Sequence, residues 1–359
     1  MKKRIALLLA TVLAVCTLAT ACGGNGGNAD ASKVKVGLGV STSMSESKNF
    51  PDNYGSGVAQ ADVTMAAVKV DEAGKIIDIV IDCVQVKANL DATGAVTNED
   101  INATFKTKTE LGYDYNMKGT SEKIGAIAGG AEWFEQCEYF EQYCLNKTAD
   151  EIAAIAITDG KATDTAILAG CTMNIDEMQK AVVKACKAAT WEGASADDKL
   201  TLGVNAKLDA GNTASATAEA AGKSQAYVTI AAVASNAEGK ITCAVIDCVQ
   251  ANSTFDNTGK ITTDLTAEVK TKYEKKEAYG MKDTSAQIGT IQGGAEWYEQ
   301  AEFFMSYVNG KTATDVAAIA VTTEGDHAGQ PTDSALTAGC TMVVTEMMEA
   351  IVTALNAAK

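Results

Sequence analysis

Apolar and polar residues alternate with two different periods along this chain. VTMAAVKV (63–70) and KIIDIVIDCVQV (75–86) are rich in β-branched residues, and DEAG between them is typical of a turn, so this stretch predicts a β-hairpin. GGAEWFEQCEYFEQYCLNK (129–147) and NIDEMQKAVVKACKAA (174–189) place apolar residues at helical spacing. TADEIAAI (148–155) begins like a short capped helix. IAIT (155–158), which overlaps its end, predicts a short strand.

The same pattern returns in the second half of the chain. Residues 63–85 match VTIAAVASNAEGKITCAVIDCVQ (228–250), and GGAEWFEQ matches GGAEWYEQ (293–300). A period this long indicates two whole domains in tandem rather than a solenoid. We therefore predict an α+β fold with repeats over 33–192 and 199–359, each a mainly antiparallel sheet with packed helices.

The N-terminus predicts export and a lipid anchor. Lys2, Lys3 and Arg4 precede an apolar run that ends at Cys22 behind small residues, which is similar to a bacterial lipobox. We expect a signal peptide over 1–21, a lipid on Cys22, a flexible Gly-rich linker over 22–32, and a location on the outer face of the cell membrane. An uncleaved membrane helix is the alternative interpretation of the same run.

Charge and histidine content argue against several classes of function. The chain carries 46 acidic against 30 basic side chains, a net charge of −16, so nucleic acid and anionic lipid surfaces are unfavourable partners. His327 is the single histidine. A haem, a histidine-based zinc site or a Ser-His-Asp triad would depend on this one residue, so we predict no metal site and no catalytic residue.

Cysteine positions do not follow the repeat as a disulfide framework would. Among the cysteines beyond the leader and Cys22, two pairs recur between the halves and four do not. We therefore predict mostly small buried thiols. The recurring positions are Cys83 with Cys248 and Cys171 with Cys340.

A small-residue string, AGCTM, occurs in both halves at 169–173 and 338–342. Small residues let a bulky group approach the backbone, and a threonine at the start of the following helix would lie where backbone N–H groups favour a phosphate. The other interpretation is an ordinary helix cap behind a tight turn. The candidate residues are Gly170, Cys171 and Thr172, with Gly339, Cys340 and Thr341 in the second copy.

Several of these strings together carry a family resemblance. AAVKVDEAGKI, IDCVQ, GGAEWFEQ, NKTADEI, their second copies, both AGCTM strings and the lipobox are similar to the flavinylated lipoproteins of Gram-positive extracellular electron transfer, the pheromone-lipoprotein type with tandem FMN-binding domains. The resemblance implies that a flavin transferase esterifies FMN to Thr172 and Thr341, giving two covalent FMN groups per chain. The usual acceptor string resembles D-x-x-(S/T)-G-A-T; here the small triplet is Ala-Gly-Cys, and Asp164 and Asp333 lie farther from their threonines.

The resemblance implies an electron carrier rather than an enzyme. It would take electrons from a membrane donor and pass them to an extracellular acceptor, with the flavin performing the redox chemistry. Trp133 and Trp297 would pack on the flavin ring or in the core. Several lysines of the repeats, two of them in Met-Lys pairs, would contact the phosphate, the reduced flavin or solvent. The Met-Lys pairs are Met117 with Lys118 and Met281 with Lys282, and the other lysines are Lys106, Lys108, Lys270 and Lys272.

Two other functions remain open at this point. One is a non-redox surface lipoprotein, a binding or adhesion module built by duplication, in which the two threonines only cap helices. The other is a flavin-dependent extracellular reductase, for which the insertion EGDHAGQPTDS (324–334) is the one candidate region without a counterpart in the first half.

Overall fold

Two three-stranded antiparallel sheets form the centre of the molecule. The structure, a computed structural model, describes residues 34–51 and 55–357; the predicted signal peptide, Cys22 and the linker lie outside these residues. The sheets have the strand orders β1-β2-β3 and β6-β7-β8, and a two-residue hairpin joins β4 to β5. The strands are β1 (Lys35–Ser43), β2 (Gly57–Val70), β3 (Ile76–Leu90), β4 (Ile157–Thr158), β5 (Lys161–Ala162), β6 (Lys199–Leu208), β7 (Gly222–Ser235) and β8 (Ile241–Phe255).

Helices cover one face of each sheet. In the first half α6 packs across β1 and β2 while α3 packs on β3, and in the second half α12 and α9 take the same places. The helices are α1 (Lys108–Leu111), α2 (Lys118–Ile124), α3 (Trp133–Cys144), α4 (Ala149–Ala153), α5 (Thr165–Leu168), α6 (Asp176–Lys187), α7 (Lys272–Lys275), α8 (Lys282–Ile288), α9 (Trp297–Val308), α10 (Ala313–Ala317), α11 (Ser334–Thr337) and α12 (Thr345–Ala357).

Both faces of the first sheet are buried. Val63 and Met65 of β2 belong to a core that also contains residues of the second half, whereas Ala66 and Val68 pack with the helices of the first half. Successive side chains of a strand point to opposite faces, so β2 separates two cores. This explains why its sequence is almost continuously apolar instead of alternating.

The two halves are joined by main-chain hydrogen bonds as well as by this core. Phe105 N donates to Ala206 O at 2.8 Å, and Ala216 N donates to Gly94 O at 2.9 Å. The ammonium of Lys69, which is 2% exposed, reaches the segment between the halves, where it donates to the carbonyl oxygens of residues 196 and 198. A buried charge is tolerated only with such partners, so the chain arrangement at this junction is specific.

The elements predicted from periodicity are present. The hairpin of β2 and β3, helix α3, the capping box of α4 at Thr148, and helices α6 and α12 are all confirmed. The predicted mixture of antiparallel sheets and helices is also confirmed. The short strand is observed as β4 in the first half, but its counterpart forms only an isolated bridge between Val321 and Pro331.

A carboxyl group and a thioether occupy equivalent places in the two halves. Ile81 N on β3 donates to Glu141 Oε1 at 2.5 Å, and Ile246 N on β8 donates to Met305 Sδ at 3.0 Å. Burial raises the pKa of Glu141 to about 7 from its usual 4.5. Burying the charged form is unfavourable, so Glu141 is best accommodated as the neutral acid.

Replacing Glu141 by methionine should therefore remove part of the pH dependence of stability. The pKa of Glu141 is higher in the folded than in the unfolded protein, so its carboxyl stabilises the fold at pH values below the unfolded pKa. This stabilisation is lost as the pH rises through about 7. We expect Glu141→Met to match the wild type near pH 4.5 and to gain about 2–3 kcal/mol at pH 8. Urea unfolding at both pH values measures this; an equal difference at both would contradict it.

Candidate functional site

The AGCTM string forms a loop between α5 and α6, and an aspartate fixes the helical turn that precedes it. Asp164 caps α5 by accepting a hydrogen bond from Ala166 N at 2.8 Å, and Tyr143 Oη donates to the other carboxylate oxygen at 2.8 Å. The aspartate upstream of each string is thus a helix cap. In the second half the same roles belong to Asp333, Ala335 and Tyr307.

Thr172 is buried and bound to a single side chain. Its N–H and its hydroxyl both donate to Gln136 Oε1, at 2.9 and 3.2 Å. Gln136 is fully buried in α3, and its Nε2 donates to Ala131 O at 3.1 Å and to Ser121 Oγ at 3.5 Å. One glutamine therefore connects the loop, the start of α3 and helix α2.

The second half repeats this network. Thr341 N and Oγ1 donate to Gln300 Oε1 at 2.9 and 3.3 Å. Gln300 Nε2 donates to Ala295 O at 3.1 Å and to Ser285 Oγ at 3.4 Å. The retention of both strings thus coincides with the retention of a buried hydrogen-bond network, which is costly to leave unsatisfied.

Neither threonine caps a helix, so the helix-cap interpretation is wrong. The N-cap of α6 is Ile175, and α12 begins at Thr345. Both threonine hydroxyls are directed to a glutamine side chain instead of a free backbone N–H. The loop leads into the helix, as predicted, but each threonine lies before the cap position. The expectation that the threonine stands at the helix start, where backbone N–H groups favour a phosphate, is therefore wrong as well.

The glycine of each string is required by an aromatic ring. A Cβ added at Gly170 would lie 2.2 Å from the Tyr139 ring, and one at Gly339 would lie 2.2 Å from the Phe303 ring. No such contact distance is sterically allowed, so the ring and the loop backbone touch only because the residue is glycine. Tyr139 and Phe303 are also partly exposed, so they cover the loop from the outside.

The cysteine of each string is a buried neutral thiol. Burial raises the pKa of Cys171 and of Cys340 to about 12, so neither is a thiolate at neutral pH. The eight cysteines that the structure describes are all free, and seven of them are buried, with Cys186 half-buried. The prediction of mostly buried thiols is confirmed for these eight.

Met117 and Lys118 lie at the start of α2, where a buried carboxylate holds their backbone. Their N–H groups donate to Glu132 Oε2 and Oε1 at 2.8 and 3.0 Å. A Cβ at Gly130 would lie 2.5 Å from Lys118 O, so the Gly-Gly turn serves close packing on α2. The Lys118 side chain is exposed. Met281, Lys282, Gly294 and Glu296 hold the equivalent places in the second half.

Trp133 is the first residue of α3 and lines a cleft of about 370 Å³ on the helix-covered face of the first sheet. Lys108 Nζ lies 5.3 Å from the Trp133 ring centre and 5.2 Å from that of Tyr115, distances typical of cation–π contacts. Asn174, which follows Thr172 closely in the chain, lines the same cleft. The wall also includes Asp62, Thr64, Cys83, Gln85, Asp176 and Glu177.

The aspartate of IDCVQ positions this lysine. Asp82 Oδ1 accepts hydrogen bonds from Cys83 N at 2.7 Å and from Thr109 N at 3.2 Å, so it ties α1, which begins at Lys108, to β3. Burial raises the pKa of Asp82 to about 6. The second half has the same arrangement at Asp247, Cys248 and Tyr273.

The fold brings part of the predicted site together. Trp133 and Asn174, which comes just after the AGCTM string, line one cleft. Gly170, Cys171 and Thr172 do not line it, and neither does the exposed Lys118 side chain. The sequence analysis did not single out Gln136 and Ser121, although both lie in strings that recur between the halves. Gln136 ends GGAEWFEQ and Gln300 ends the matching GGAEWYEQ, and Ser121 lies in a Thr-Ser pair that recurs at 284–285.

Within residues 34–51 and 55–357, no helix combines the length and apolar character needed to cross a bilayer. The same part of the chain contains no cluster of three metal-binding side chains. Comparison with protein-family models, with curated proteins and with solved structures found no match.

Proposed function

We propose that the protein is a lipid-anchored extracellular electron carrier that holds one covalent FMN in each half. The observation that carries this proposal is that two AGCTM loops, in two α+β halves, hold Thr172 and Thr341 in the same hydrogen-bond geometry. On this proposal 33–192 and 199–359 are FMN-binding domains, and Cys22, outside the described residues, carries the lipid. The partners are a flavin transferase, a membrane electron donor and an extracellular acceptor.

The cleft of the first half has the chemistry that a flavin ring needs. Its volume of about 370 Å³ lies within the usual range for small-molecule sites. The rings of Trp133 and Tyr115 offer flat apolar surface, and the amide of Gln85 suits the polar edge of an isoalloxazine. Lys108 supplies a positive charge beside these rings. The residues present therefore fit the neutral ring, whereas the carboxylates of Glu46, Asp62, Asp176 and Glu177, which also line the cleft, oppose a negative charge on it.

Each residue class has a separate task in this proposal. During attachment the threonine oxygen forms a bond to the FMN phosphorus of FAD, the P–O–P bond breaks, AMP leaves, and the hydroxyl proton passes to a base of the transferase. The bound flavin supplies electron transfer. Trp133, Tyr115 and Gln85 would hold the ring in place and limit its contact with water, and Lys108 would supply a positive charge in the same cleft.

A specific observation favours a second candidate, a non-redox surface lipoprotein. Thr172 and Thr341 are each 7% exposed and donate to a buried glutamine. A buried hydroxyl is not accessible to a transferase, so the flavin proposal requires that the loop is modified in an open form, before or during folding. In the second candidate the same network serves only to hold the loop.

Replacing Thr172 and Thr341 together by alanine should abolish covalent flavin. The chain is co-expressed with a flavin transferase, denatured, and examined for flavin fluorescence and intact mass. The matched control replaces Thr120 and Thr284, exposed threonines of α2 and α8, and should keep two flavins. Retained flavin in the first variant would contradict attachment at these positions. A wild-type protein without flavin would favour the non-redox candidate.

A further inference from the structure

The two halves differ at one strand position that faces the cleft. Asp62 on β2 pairs with Gln85 on β3, and Tyr227 on β7 pairs with Gln250 on β8. The two residues therefore occupy equivalent positions in the two sheets. A small carboxylate lines the cleft in the first half, and a large aromatic ring stands there in the second.

Tyr227 binds the lysine that corresponds to Lys108. Lys272 Nζ donates to Tyr227 Oη at 2.8 Å and lies 4.6 Å from the centre of its ring. Lys272 also lies 5.5 Å from the Trp297 ring centre and is only 4% exposed. Burial raises the pKa of Tyr227 well above its usual value, so the hydroxyl is a neutral acceptor for this ammonium.

An ion pair stands beside Tyr227. Lys207 on β6 pairs with Tyr227 in register, where the first half pairs Ser43 with Asp62. Lys207 Nζ contacts Glu346 Oε1 at 2.7 Å. A long charged side chain thus replaces a serine at the edge of the second site. The ring and the ion pair together leave less space there than in the first half.

We propose that Tyr227 closes the second flavin site, so that the two flavins of one chain are not equivalent. This inference rests on the proposed function for its ligand, but the closure itself concerns only protein side chains. A flavin on Thr172 would have access to the cleft that Lys108 lines. A flavin on Thr341 would be kept away from Lys272, which Tyr227 covers, and would remain in contact with solvent.

The consequence is a difference in accessibility. A ring in the first cleft would be shielded from solutes by the cleft walls, whereas a ring kept outside the second would be exposed.

The first experiment tests closure in the protein without flavin. The full mature chain, made without a transferase, is treated briefly with an amine-acetylating reagent, and Lys272 is quantified by mass spectrometry. Tyr227→Ala should raise its labelling several-fold. Thr284→Ala, at an exposed position of α8, is the control and should leave the labelling unchanged. Equal labelling of Lys272 in wild type and Tyr227→Ala would overturn the closure.

The second experiment tests the inequivalence of the flavins. Thr341→Ala leaves only the first flavin, and Thr172→Ala leaves only the second. Acrylamide, a neutral quencher, should quench the second flavin several-fold more strongly. Adding Tyr227→Asp should make the second flavin resemble the first, and adding Asp62→Tyr should expose the first. Equal quenching, unmoved by either exchange, would overturn the proposal.

The outcomes separate the two ideas. If neither site takes flavin while Tyr227→Ala still exposes Lys272, the proposed function fails and the closure stands. If both sites take flavin and quench alike, the function stands and the inequivalence fails.

Discussion

Replacing Gly39 by alanine should unfold the protein or destabilise it by about 3 kcal/mol or more. A Cβ at Gly39 would lie 2.1 Å from Ala181 O and 2.3 Å from Ala185 N, both backbone atoms of α6. Backbone atoms of a packed helix cannot rotate aside as a side chain can, so β1 and α6 would have to separate. Urea unfolding of the full mature chain measures the loss.

A glycine in open space provides the matched control. Gly119 lies in α2 and has no heavy atom within 4 Å of an added Cβ. Gly119→Ala should leave stability unchanged or raise it by about 0.5–1 kcal/mol, because alanine has the better helix propensity. If Gly39→Ala and Gly119→Ala gave the same midpoint, β1 and α6 would not lie as close as the structure places them. A Cβ added at Gly203 would lie 1.9 Å from Ala350 O, so Gly203→Ala should destabilise the protein as Gly39→Ala does.

Replacing Gln136 by leucine should destabilise the first half by about 2–4 kcal/mol, since each buried donor left without an acceptor costs about 1–3 kcal/mol. The substitution removes the acceptor for both Thr172 N and Thr172 Oγ1, and the donor to Ala131 O. Leucine has a similar volume, so the loss would come from hydrogen bonding rather than from a cavity. Thermal and urea unfolding, with far-UV circular dichroism as the signal, measure the effect.

The control for this substitution lies on the same helix. Gln142 is exposed in α3, and Gln142→Leu should change stability by less than about 0.5 kcal/mol. Gln300→Leu should repeat the loss in the second half because Thr341 depends on it in the same way. A Gln136→Leu protein as stable as the Gln142→Leu protein would show that the loop does not need this acceptor.

The local elements were predictable because they depend on short-range patterns. The hairpin of β2 and β3 follows from two β-rich runs around DEAG, and α4 follows from the capping box of Thr148 and Glu151. The amphipathic spacing after each AGCTM string predicts α6 and α12. In each case the signal and the hydrogen bonds it makes lie within a few residues.

The candidate site was predictable only in part. Its repeated strings, including AGCTM and GGAEWFEQ, are visible in the sequence, and they mark Thr172 and Trp133. The hydrogen bond between Gln136 and Thr172 was not predictable, because the two residues meet only when α3 packs beside the loop. The role of Lys108 depends likewise on Asp82, which holds α1 on β3 from a distant part of the chain.

The sequence by itself determined the element types, the repetition between the halves and the acidic charge, because periodicity, turn residues and composition act locally. The tertiary structure decided that β2 is buried on both faces, that the threonines bond to glutamines, and that Tyr227 bonds to Lys272. Each of these depends on side chains far apart in the chain that meet across a packed core. Local propensity carries no information on which distant partners will share that core.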